Sequence, residues 1–381
     1  MRRSVLVVTN LYPSEARPDF APFNRQQFRA LAEIADVEIF ALVPRKIFPP
    51  LRSGLSRHEV FDGIDVFRPR FLTVPGAVAL NAASVASSVT AHLAARRLRG
   101  QRYDLVLGAY AYPDACGALV AAKAQGLPVV VKCHGSDLNR VPEHLSARLQ
   151  MEQLLPRAER VVCVSEKLAE AAQLLNVPRE RIDVVYNGID RERFHVRDRD
   201  AARRTLGLTD VDRLILYVGH LADHKGAEDL LRAAELLSRT TPNATVLYVG
   251  DGPMLDTLQA NPTVRAVGRK PHEQIATYLA ACDVLTLPSW DEGMPNVVRE
   301  AHACGRPVVA THVGGIPEAV HHPALGRLVP PSNPEALADA LAAQLAEPVE
   351  PERITQLAQV PTWEESAASL LVTLERAITS A

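Results

Sequence analysis

The stretch that decides the interpretation of this chain is Asp291-Glu292-Gly293-Met294-Pro295-Asn296-Val297-Val298-Arg299-Glu300. It places two glutamates eight residues apart, around a Gly/Pro turn that continues as a helix. Glu292 then lies before the helix and Glu300 about two turns inside it. One carboxylate can reach a hydroxyl group while the free amides of the first turn face a phosphate. The stretch therefore predicts a site for an anionic, hydroxyl-rich ligand, and a solvated acidic turn before an ordinary helix is the alternative.

Length and composition indicate a globular protein of two domains. The chain has 381 residues, of which 47% are hydrophobic and 23% charged, and its formal net charge is -2. This balance argues against a nucleic-acid-binding surface. Charge is uneven, however, because residues 1–190 hold 24 Lys+Arg against 19 Asp+Glu. The five cysteines are isolated from one another, so they suggest a reducing compartment.

Two apolar segments could be taken for targeting or membrane segments. The apolar run after Met1 is too short for a secretory signal and predicts a first buried strand. The uncharged stretch Val74 to Ala95 contains too many polar residues for insertion. We therefore expect a core helix there, with Val85, Val89 and Leu93 on one stripe.

Short β-branched runs alternate with helical patterns along the whole chain, which predicts two α/β units with parallel sheets. The predicted strands are Val5–Thr9, Val37–Leu42, Leu105–Leu107, Val129–Val131, Val161–Val164, Ile182–Val185, Leu214–Val218, Thr245–Val249, Val264–Val267, Val284–Leu287, Pro307–Ala310 and Gly326–Val329. We expect a first domain over 1–190, a charged linker over 191–210, a second domain over 211–360 and a C-terminal helix over 361–381 that can pack back on the first domain.

The loops that follow these strands carry the chemistry. In parallel sheets ligands gather at the carboxyl ends of strands, so these loops should share one crevice. Each loop alone is as well explained by a structural turn. The loops hold His134 with Asp137, then Gly219, His220 and Lys225 before a helix, Gly250 in Gly-Asp-Gly-Pro253, Arg269 with Lys270, and Gly314-Gly315.

Three common enzyme classes lack their motifs here. The first strand is followed by Asn10-Leu11-Tyr12-Pro13-Ser14, without the Gly-x-Gly-x-x-Gly of a dinucleotide-binding protein. Walker A spacing and a Gly-x-Ser-x-Gly elbow are also absent from the sequence. A nicotinamide or flavin enzyme, an NTPase and an α/β-hydrolase are therefore disfavoured.

Taken in order over nearly the whole chain, the motifs resemble those of the retaining glycosyltransferases of family 4. These enzymes have the GT-B fold, an α/β fold with two facing Rossmann-like domains and a cleft between them. The matching strings are His134-Gly-Ser-Asp137, Val164-Ser165, Asn187-Gly-Ile-Asp190 with Phe194, Gly219 through Lys225-Gly226, Gly250-Asp-Gly-Pro253, Pro288-Ser289, Glu292 to Glu300 with Ala303-Cys-Gly305, and Gly314-Gly-Ile-Pro-Glu318.

The resemblance implies roles for these residues. Glu300 would bind the ribose hydroxyls, Glu292 the transferred sugar and Lys225 the donor diphosphate. His134 would be the active-site histidine on the acceptor side. The donor site would comprise Gly219, His220, Lys225, Gly250, Arg269, Lys270, Glu292, Gly293, Met294, Pro295, Asn296 and Glu300, the catalytic group His134, Lys225 and Glu292, and the acceptor side His134, Asp137 and Asn24.

Two positions depart from the family pattern. His220 stands where most relatives place an arginine, and an imidazole is only partly charged near neutral pH and cannot form a bidentate fork. The N-terminal loop, often Gly-Gly in the family, is Asp19-Phe20-Ala21-Pro22-Phe23-Asn24, which hinders close backbone approach to the donor phosphate. Family members with a similar Pro-rich loop and a His-Gly-Ser-Asp string resemble bacterial surface-polysaccharide enzymes.

We therefore expect a metal-independent, retaining hexosyltransferase that uses a nucleotide-sugar substrate, UDP-sugar rather than GDP-sugar, and no cofactor. Its acceptor contains sugar and is soluble or lipid-linked, nucleic acid is not a partner, and the protein is cytoplasmic, with peripheral contact at the inner face of the membrane as an option. Asp198-Arg199-Asp200 has the spacing of a metal-binding pair but falls in the charged linker. A non-catalytic nucleotide-sugar-binding subunit and a GT-B epimerase or phosphorylase remain alternatives.

Overall fold

The computed structural model describes residues 2–18, 20–46, 55–73 and 78–380, with the side chains of Arg45 and Lys46 left out. By its internal contacts the chain forms two compact units, Met1–Gly188 with Trp363–Ala381, and Ile189–Thr362. Each unit has its own hydrophobic core. The C-terminal helix thus belongs to the first unit.

The described helices are α1 (Pro22–Ala32), α2 (Asn81–Leu98), α3 (Cys116–Lys123), α4 (Ser136–Asn139), α5 (Leu145–Leu154), α6 (Glu166–Gln173), α7 (Arg199–Leu206), α8 (Ala227–Thr240), α9 (Leu255–Ala260), α10 (His272–Ala281), α11 (Asn296–Ala303), α12 (Ile316–Ala319), α13 (Pro334–Ala346), α14 (Pro351–Ala358) and α15 (Trp363–Thr379). Helix α1 to α6 and α15 belong to the first unit, and α7 to α14 to the second. The Ala/Leu-rich helices predicted after Pro334 are confirmed.

The described strands of the first unit are β1 (Ser4–Thr9), β2 (Asp36–Ala41), β3 (Val43–Lys46), β4 (His58–Phe61), β5 (Ile64–Phe67), β6 (Arg70–Thr73), β7 (Leu105–Ala109), β8 (Val129–Cys133), β9 (Arg160–Cys163) and β10 (Ile182–Val184). The main sheet has the order β10-β9-β8-β7-β1-β2-β5-β4, and only β4 runs antiparallel to its neighbour among these described strands. Strand order reverses between β1 and β7, which predicts a ligand site at their carboxyl ends.

The sequence also contained a hairpin that we did not predict. Strands β4 and β5 have only four residues each and are joined by Asp62-Gly63, whose φ angles are 51° and 78°. Asp-Gly is the preferred pair for such a tight turn because both residues need positive φ. Strands β3 and β6, which pair parallel to each other, were missed as well.

Helix α2 confirms the predicted apolar stripe. Val85 and Val89 are fully buried and Leu93 is 3% exposed. A Cβ added at Gly117 on α3 would lie 2.6 Å from Val85, so these two helices pack closely. The segment Val78–Leu98 is also long and apolar enough to cross a membrane, with a mean hydropathy of 1.3 and 28% of it buried. Length and composition alone are weak support for a span. Residues 74–77 lie outside the described residues.

The second unit contains β11 (Arg213–Val218), β12 (Ala244–Val249), β13 (Val264–Ala266), β14 (Val284–Leu287), β15 (Val308–Thr311) and β16 (Gly326–Val329). Their order is β13-β12-β11-β14-β15-β16, and every pair is parallel. All six strands match predicted ones within two residues. Strand order reverses between β11 and β14, which marks the expected ligand edge of this sheet.

The charged segment that we predicted as a linker is folded into the second unit. Asp198 caps α7 by accepting a hydrogen bond from Ala201 N at 2.6 Å, and the helix ends at Gly207 with φ 68°. Arg203 is buried and its guanidinium donates to Asp283 at 2.7 Å. The charge of Arg203 is therefore paired with a carboxylate inside the second unit. Our prediction of a charged linker overlooked this contact.

Backbone contact between adjacent loops generates a first prediction. A Cβ at Gly250 would lie 1.8 Å from Gly219 O, whereas one at Gly207 would meet nothing within 4 Å, although φ there is 68°. Gly250→Ala should lower the free energy of unfolding by about 3 kcal/mol because backbone atoms must move. Gly207→Ala, the matched control, should cost about 1 kcal/mol through its left-handed φ. Equal losses in urea unfolding would contradict the packing argument.

Candidate functional site

All residues predicted for donor binding lie in the second unit, after parallel strands. Gly219 and His220 follow β11, Gly250 follows β12, and Arg269 with Lys270 follow β13. Glu292 to Asn296 connect β14 to α11, which carries Glu300. Since carboxyl ends of parallel strands share an edge, the sheet itself brings these loops to one side of the unit.

Lys225 and Glu292 form an ion pair. The Lys225 Nζ lies 2.6 Å from Glu292 Oε1, and the two side chains are 26% and 13% exposed. Lys225 ends a short 3-10 turn, and Gly226 follows with φ 70°. The pair is half-buried, so it is less screened than a surface ion pair. The two side chains therefore neutralise each other's charge.

The start of α11 follows directly on the turn that carries Glu292. Its N-cap is Pro295, which makes no side-chain capping bond. The preceding turn is fixed by the glycine-rich loop after β15, because Gly315 N donates to Gly293 O at 2.6 Å. A Cβ at Gly314 would lie 1.9 Å from Glu292 O. These contacts hold the turn against the loop and leave a helix N-terminus suited to an anion.

Glu300 does not join Glu292 but pairs with a histidine that we did not predict. His272 Nε2 lies 3.1 Å from Glu300 Oε1, and Arg193 NH1 lies 3.1 Å from His272 Nδ1. The Phe194 ring packs 5.4 Å from the imidazole. Burial lowers the pKa of His272, but the hydrogen bond and charge of Glu300 outweigh it and raise the pKa overall. Nothing in the spacing of the sequence indicated this contact.

The remaining predicted donor residues lie nearer to solvent. His220 and Arg269 are exposed, and Lys270 is half-buried. The turn at His220 is held by Tyr217, whose hydroxyl donates to His220 O at 2.9 Å. Burial raises the pKa of Tyr217, and the negative charge of Glu292 raises it further. Met294 is buried and therefore contributes packing as well as backbone.

In the first unit, His134 follows β8, as predicted from its position at a strand end. Its Nε2 is buried and has no hydrogen-bond partner among the described residues. The ring lies 4.9 Å from the Phe23 ring. Burial lowers the pKa of His134 well below its usual value, and the charge of Lys132 lowers it further. The imidazole is therefore neutral near pH 7.

The other two predicted acceptor-side residues are buried and hold backbone. Asp137 accepts hydrogen bonds from the amides of His134, Gly135 and Ala111, at 2.9, 2.8 and 3.0 Å. Asn24 is fully buried and donates to Leu11 O at 2.9 Å. These contacts hold the loops around His134 in place, and the acceptor-side role of Asp137 and Asn24 stays a prediction.

Two buried charges that we did not predict lie in the same part of the first unit. Lys132 is fully buried within β8, and its Nζ lies 3.5 Å from Asn187 Oδ1. Burial lowers the pKa of Lys132 to about 7, although Asp137 opposes this shift. Asp114 is also fully buried, and burial raises its pKa well above the usual value. The sequence could have indicated the buried Lys132, because it lies within an otherwise apolar parallel strand.

Within the described part of the chain, no group of three or more His, Cys, Asp or Glu side chains is arranged to hold a metal ion. Asp198, the first acid of the Asp-x-Asp string, caps α7. The five cysteines are buried and unpaired. The site chemistry described here is therefore that of carboxylates, imidazoles, an ammonium group and backbone amides.

Comparison with known families agrees with this arrangement. Residues 29–193 match the family described as Glycosyltransferase Family 4, and residues 212–347 match Glycosyl transferases group 1. TuaC of Bacillus subtilis, whose name assigns it provisionally to teichuronic acid biosynthesis, is 32% identical over 353 residues, which cover 88% of each chain. This chain belongs to the group 1 glycosyltransferases.

Other relatives of this glycosyltransferase extend the comparison. The D-inositol 3-phosphate glycosyltransferase of Nocardia farcinica is 30% identical, covering 86% of this chain and 78% of that protein. Sucrose-phosphate synthase from Thermosynechococcus elongatus is similar in structure with a TM-score of 0.76 at 22% identity, and both chains are fully covered. HepE from Anabaena in complex with UDP gives 0.72 at 21% identity, with 98% and 100% coverage. The predicted GT-B fold is confirmed.

The buried Lys132 of this glycosyltransferase generates a second prediction. Between about pH 7 and pH 10.5 the unfolded lysine carries a proton that the folded one lacks, so the wild type should gain stability as pH rises. Lys132→Met removes the amine and should remove this dependence. From pH 7 to pH 9 the wild type should gain about 2 kcal/mol relative to the variant in urea unfolding.

Lys167→Met, which changes an exposed lysine, is the control and should follow the wild type at both pH values. A stability difference between wild type and Lys132→Met that is the same at pH 7 and pH 9 would contradict the lowered pKa of Lys132.

Proposed function

We propose that this glycosyltransferase is a metal-independent retaining hexosyltransferase that uses a nucleoside diphosphate sugar, UDP-sugar in preference to GDP-sugar. The Lys225–Glu292 ion pair, with Glu292 on the turn that leads into α11, carries this proposal. A diphosphate needs a cation and amide donors, and a sugar needs a carboxylate acceptor. Both are present within one loop system. HepE, a neighbour in fold, has been solved with UDP-glucose, which supports the choice of uridine.

Donor binding would exchange the partners of the ion pair. The diphosphate takes the Lys225 ammonium and the amides near Asn296, and Glu292 turns to a hydroxyl of the transferred sugar. The bond between the anomeric carbon and the diphosphate oxygen then breaks. The acceptor hydroxyl attacks from the same face and its proton passes to the departing diphosphate. Lys225 and the amides stabilise the charge that develops on the leaving group.

The acceptor is a sugar-containing molecule that meets the first unit. His134 is neutral and its Nε2 has no partner in the described residues, so it suits a hydrogen bond with an acceptor hydroxyl. The name of TuaC refers to teichuronic acid biosynthesis, and this supports a glycan acceptor in polysaccharide biosynthesis. A soluble phosphorylated polyol is the second class, supported by the names of the D-inositol 3-phosphate glycosyltransferases.

A non-catalytic nucleotide-sugar-binding subunit and a GT-B epimerase are the alternative functions. Purified protein with UDP-glucose separates them, because a transferase hydrolyses the donor slowly without acceptor, a binder only gains thermal stability from the ligand, and an epimerase changes the sugar. We expect release of UDP and glucose, with the α-anomer formed first. No release, together with a shift in melting temperature, would favour the binding subunit.

The clamp residues give a direct mutational test. Lys225→Ala should lower kcat with UDP-glucose by about a hundredfold or more, because the ammonium acts where charge develops. Its stability should fall much less than its turnover, although Glu292 loses the Lys225 ammonium. His220→Arg should preserve or raise activity, since a guanidinium can form a bidentate contact with the diphosphate. Arg232→Ala, an exposed change on α8, is the control and should match wild type. A folded but inactive His220→Arg would show that the position is not part of the clamp.

We also propose a cytoplasmic protein with peripheral contact at the inner face of the membrane. The sequence from Arg45 to Arg52 interleaves basic and apolar residues, but it lies outside the described residues, apart from the backbone of its first two. The end of α2 supports the proposal, because Leu98 is 89% exposed and Arg97, Arg99 and Arg102 are exposed around it. Positive charge beside exposed apolar residues favours anionic headgroups.

Sedimentation with anionic vesicles tests this surface. Each basic residue contributes about 1 kcal/mol near such a membrane, so Arg97→Ser/Arg99→Ser/Arg102→Ser should weaken binding at low salt about a hundredfold. Binding should also fall at high salt. Arg232→Ser/Arg239→Ser, on the second unit, is the control. Absence of salt-sensitive binding by the wild type, with transfer to a soluble acceptor intact, would contradict peripheral membrane contact.

A further inference from the structure

A chain of contacts leads to Glu300 from the beginning of the second unit. Arg193 Nε lies 3.7 Å from Asp190 Oδ2, and its NH1 lies 3.1 Å from His272 Nδ1. His272 is the first residue of α10, and its Nε2 lies 3.1 Å from Glu300 Oε1 in α11. Three separate segments of the unit thus meet at one imidazole.

Hydrogen-bond chemistry fixes the direction of this chain. A guanidinium has donors and no acceptor, so Arg193 donates and His272 Nδ1 accepts. The ring proton of the neutral imidazole is then on Nε2, which donates to Glu300 Oε1. A second proton on Nδ1 would place two donors against each other. The charged groups around the ring are Arg193, Glu300 and Glu273.

The Glu300 carboxylate is incompletely satisfied. Its side chain is 11% exposed, and Oε2 makes no hydrogen bond with the described part of the chain. A largely buried carboxylate with one donor is costly, because its lost hydration is only partly replaced. Hydroxyl groups of a ligand would complete it. The imidazole, packed against Phe194, fixes which oxygen is used by the protein and which remains for the ligand.

We propose that His272 is a positioning residue that orients the Glu300 carboxylate toward the ribose of the donor nucleotide, and that Arg193 sets the tautomer of His272. This inference rests on the proposed function, because it takes the ligand of Glu300 to be a ribose. It means that recognition of the ribose hydroxyls depends on a residue outside the Glu292–Glu300 stretch. Loss of His272 should therefore act on ribose recognition more than on binding of the diphosphate.

The experiment compares the binding of UDP, 2′-deoxy-UDP and 3′-deoxy-UDP by calorimetry at pH 8. Wild type should bind UDP about tenfold more tightly than at least one deoxy analogue, since a hydroxyl bonded to a carboxylate is worth that much. His272→Ala should bring this ratio close to one, and so should Glu300→Gln. His272→Gln, whose amide keeps one donor and one acceptor, should restore much of the ratio. Gln274→Ala, an exposed change in the same turn, is the control.

The outcomes distinguish failure of the proposed role of His272 from failure of the proposed donor site. If wild type binds UDP and discriminates, while folded His272→Ala discriminates equally well, the positioning role is overturned. Equal losses for UDP and its deoxy analogues in His272→Ala and His272→Gln would also overturn it, because they would indicate a role in general stability. If wild type fails to bind UDP, or if Glu300→Gln leaves discrimination unchanged, the donor assignment under the proposed function fails instead.

Discussion

Close backbone contact at the carboxyl edge of the second sheet is the constraint on which the candidate donor site depends. A Cβ at Gly226 would lie 2.0 Å from Pro288 O, and one at Gly314 would lie 1.9 Å from Glu292 O. No side chain fits at either position, so the backbones of these loops come into direct contact there. Gly226 directly follows Lys225, and the contact therefore sets how far the ammonium lies from Glu292. Rigid loops of this kind keep charged groups in place before a ligand binds.

The Lys225–Glu292 pair then explains how the protein can hold an anion-binding site in place when no anion is bound. Each charge is half-buried and would lose hydration without a partner, but the 2.6 Å contact replaces part of that loss. A diphosphate competes for Lys225 and releases Glu292 at the place where a sugar must lie. The same residues therefore stabilise the empty protein and, in the proposed reaction, recognise two parts of one substrate. Ligand binding is an exchange of partners, which limits the desolvation cost.

The fold was largely predictable because burial leaves a simple pattern. Parallel strands buried on both faces give continuous apolar runs, and this signal located both large sheets. It failed at the Asp62-Gly63 hairpin, whose two short strands contain exposed polar residues and no continuous apolar run. The site was predictable where residues are close in sequence, as in the Glu292 to Glu300 stretch. His272, which contacts Glu300, and Arg193, which contacts His272, were both missed. These contacts depend on how distant segments of the second unit pack together, and local spacing in the sequence does not encode that packing.

Several features that are unfavourable for stability lie in or after strands of the first unit. Lys132 occupies a buried strand, and Ala21 and Tyr110 have φ angles of 48° and 139°, in the region that favours glycine. His134 keeps a ring nitrogen without a partner in the described residues. Each feature costs stability, by about 1–3 kcal/mol for a strained backbone alone. They follow or lie within β1, β7 and β8, at the point where strand order reverses. A cost in stability at the ligand edge of a sheet is expected when that edge is shaped by binding or catalysis.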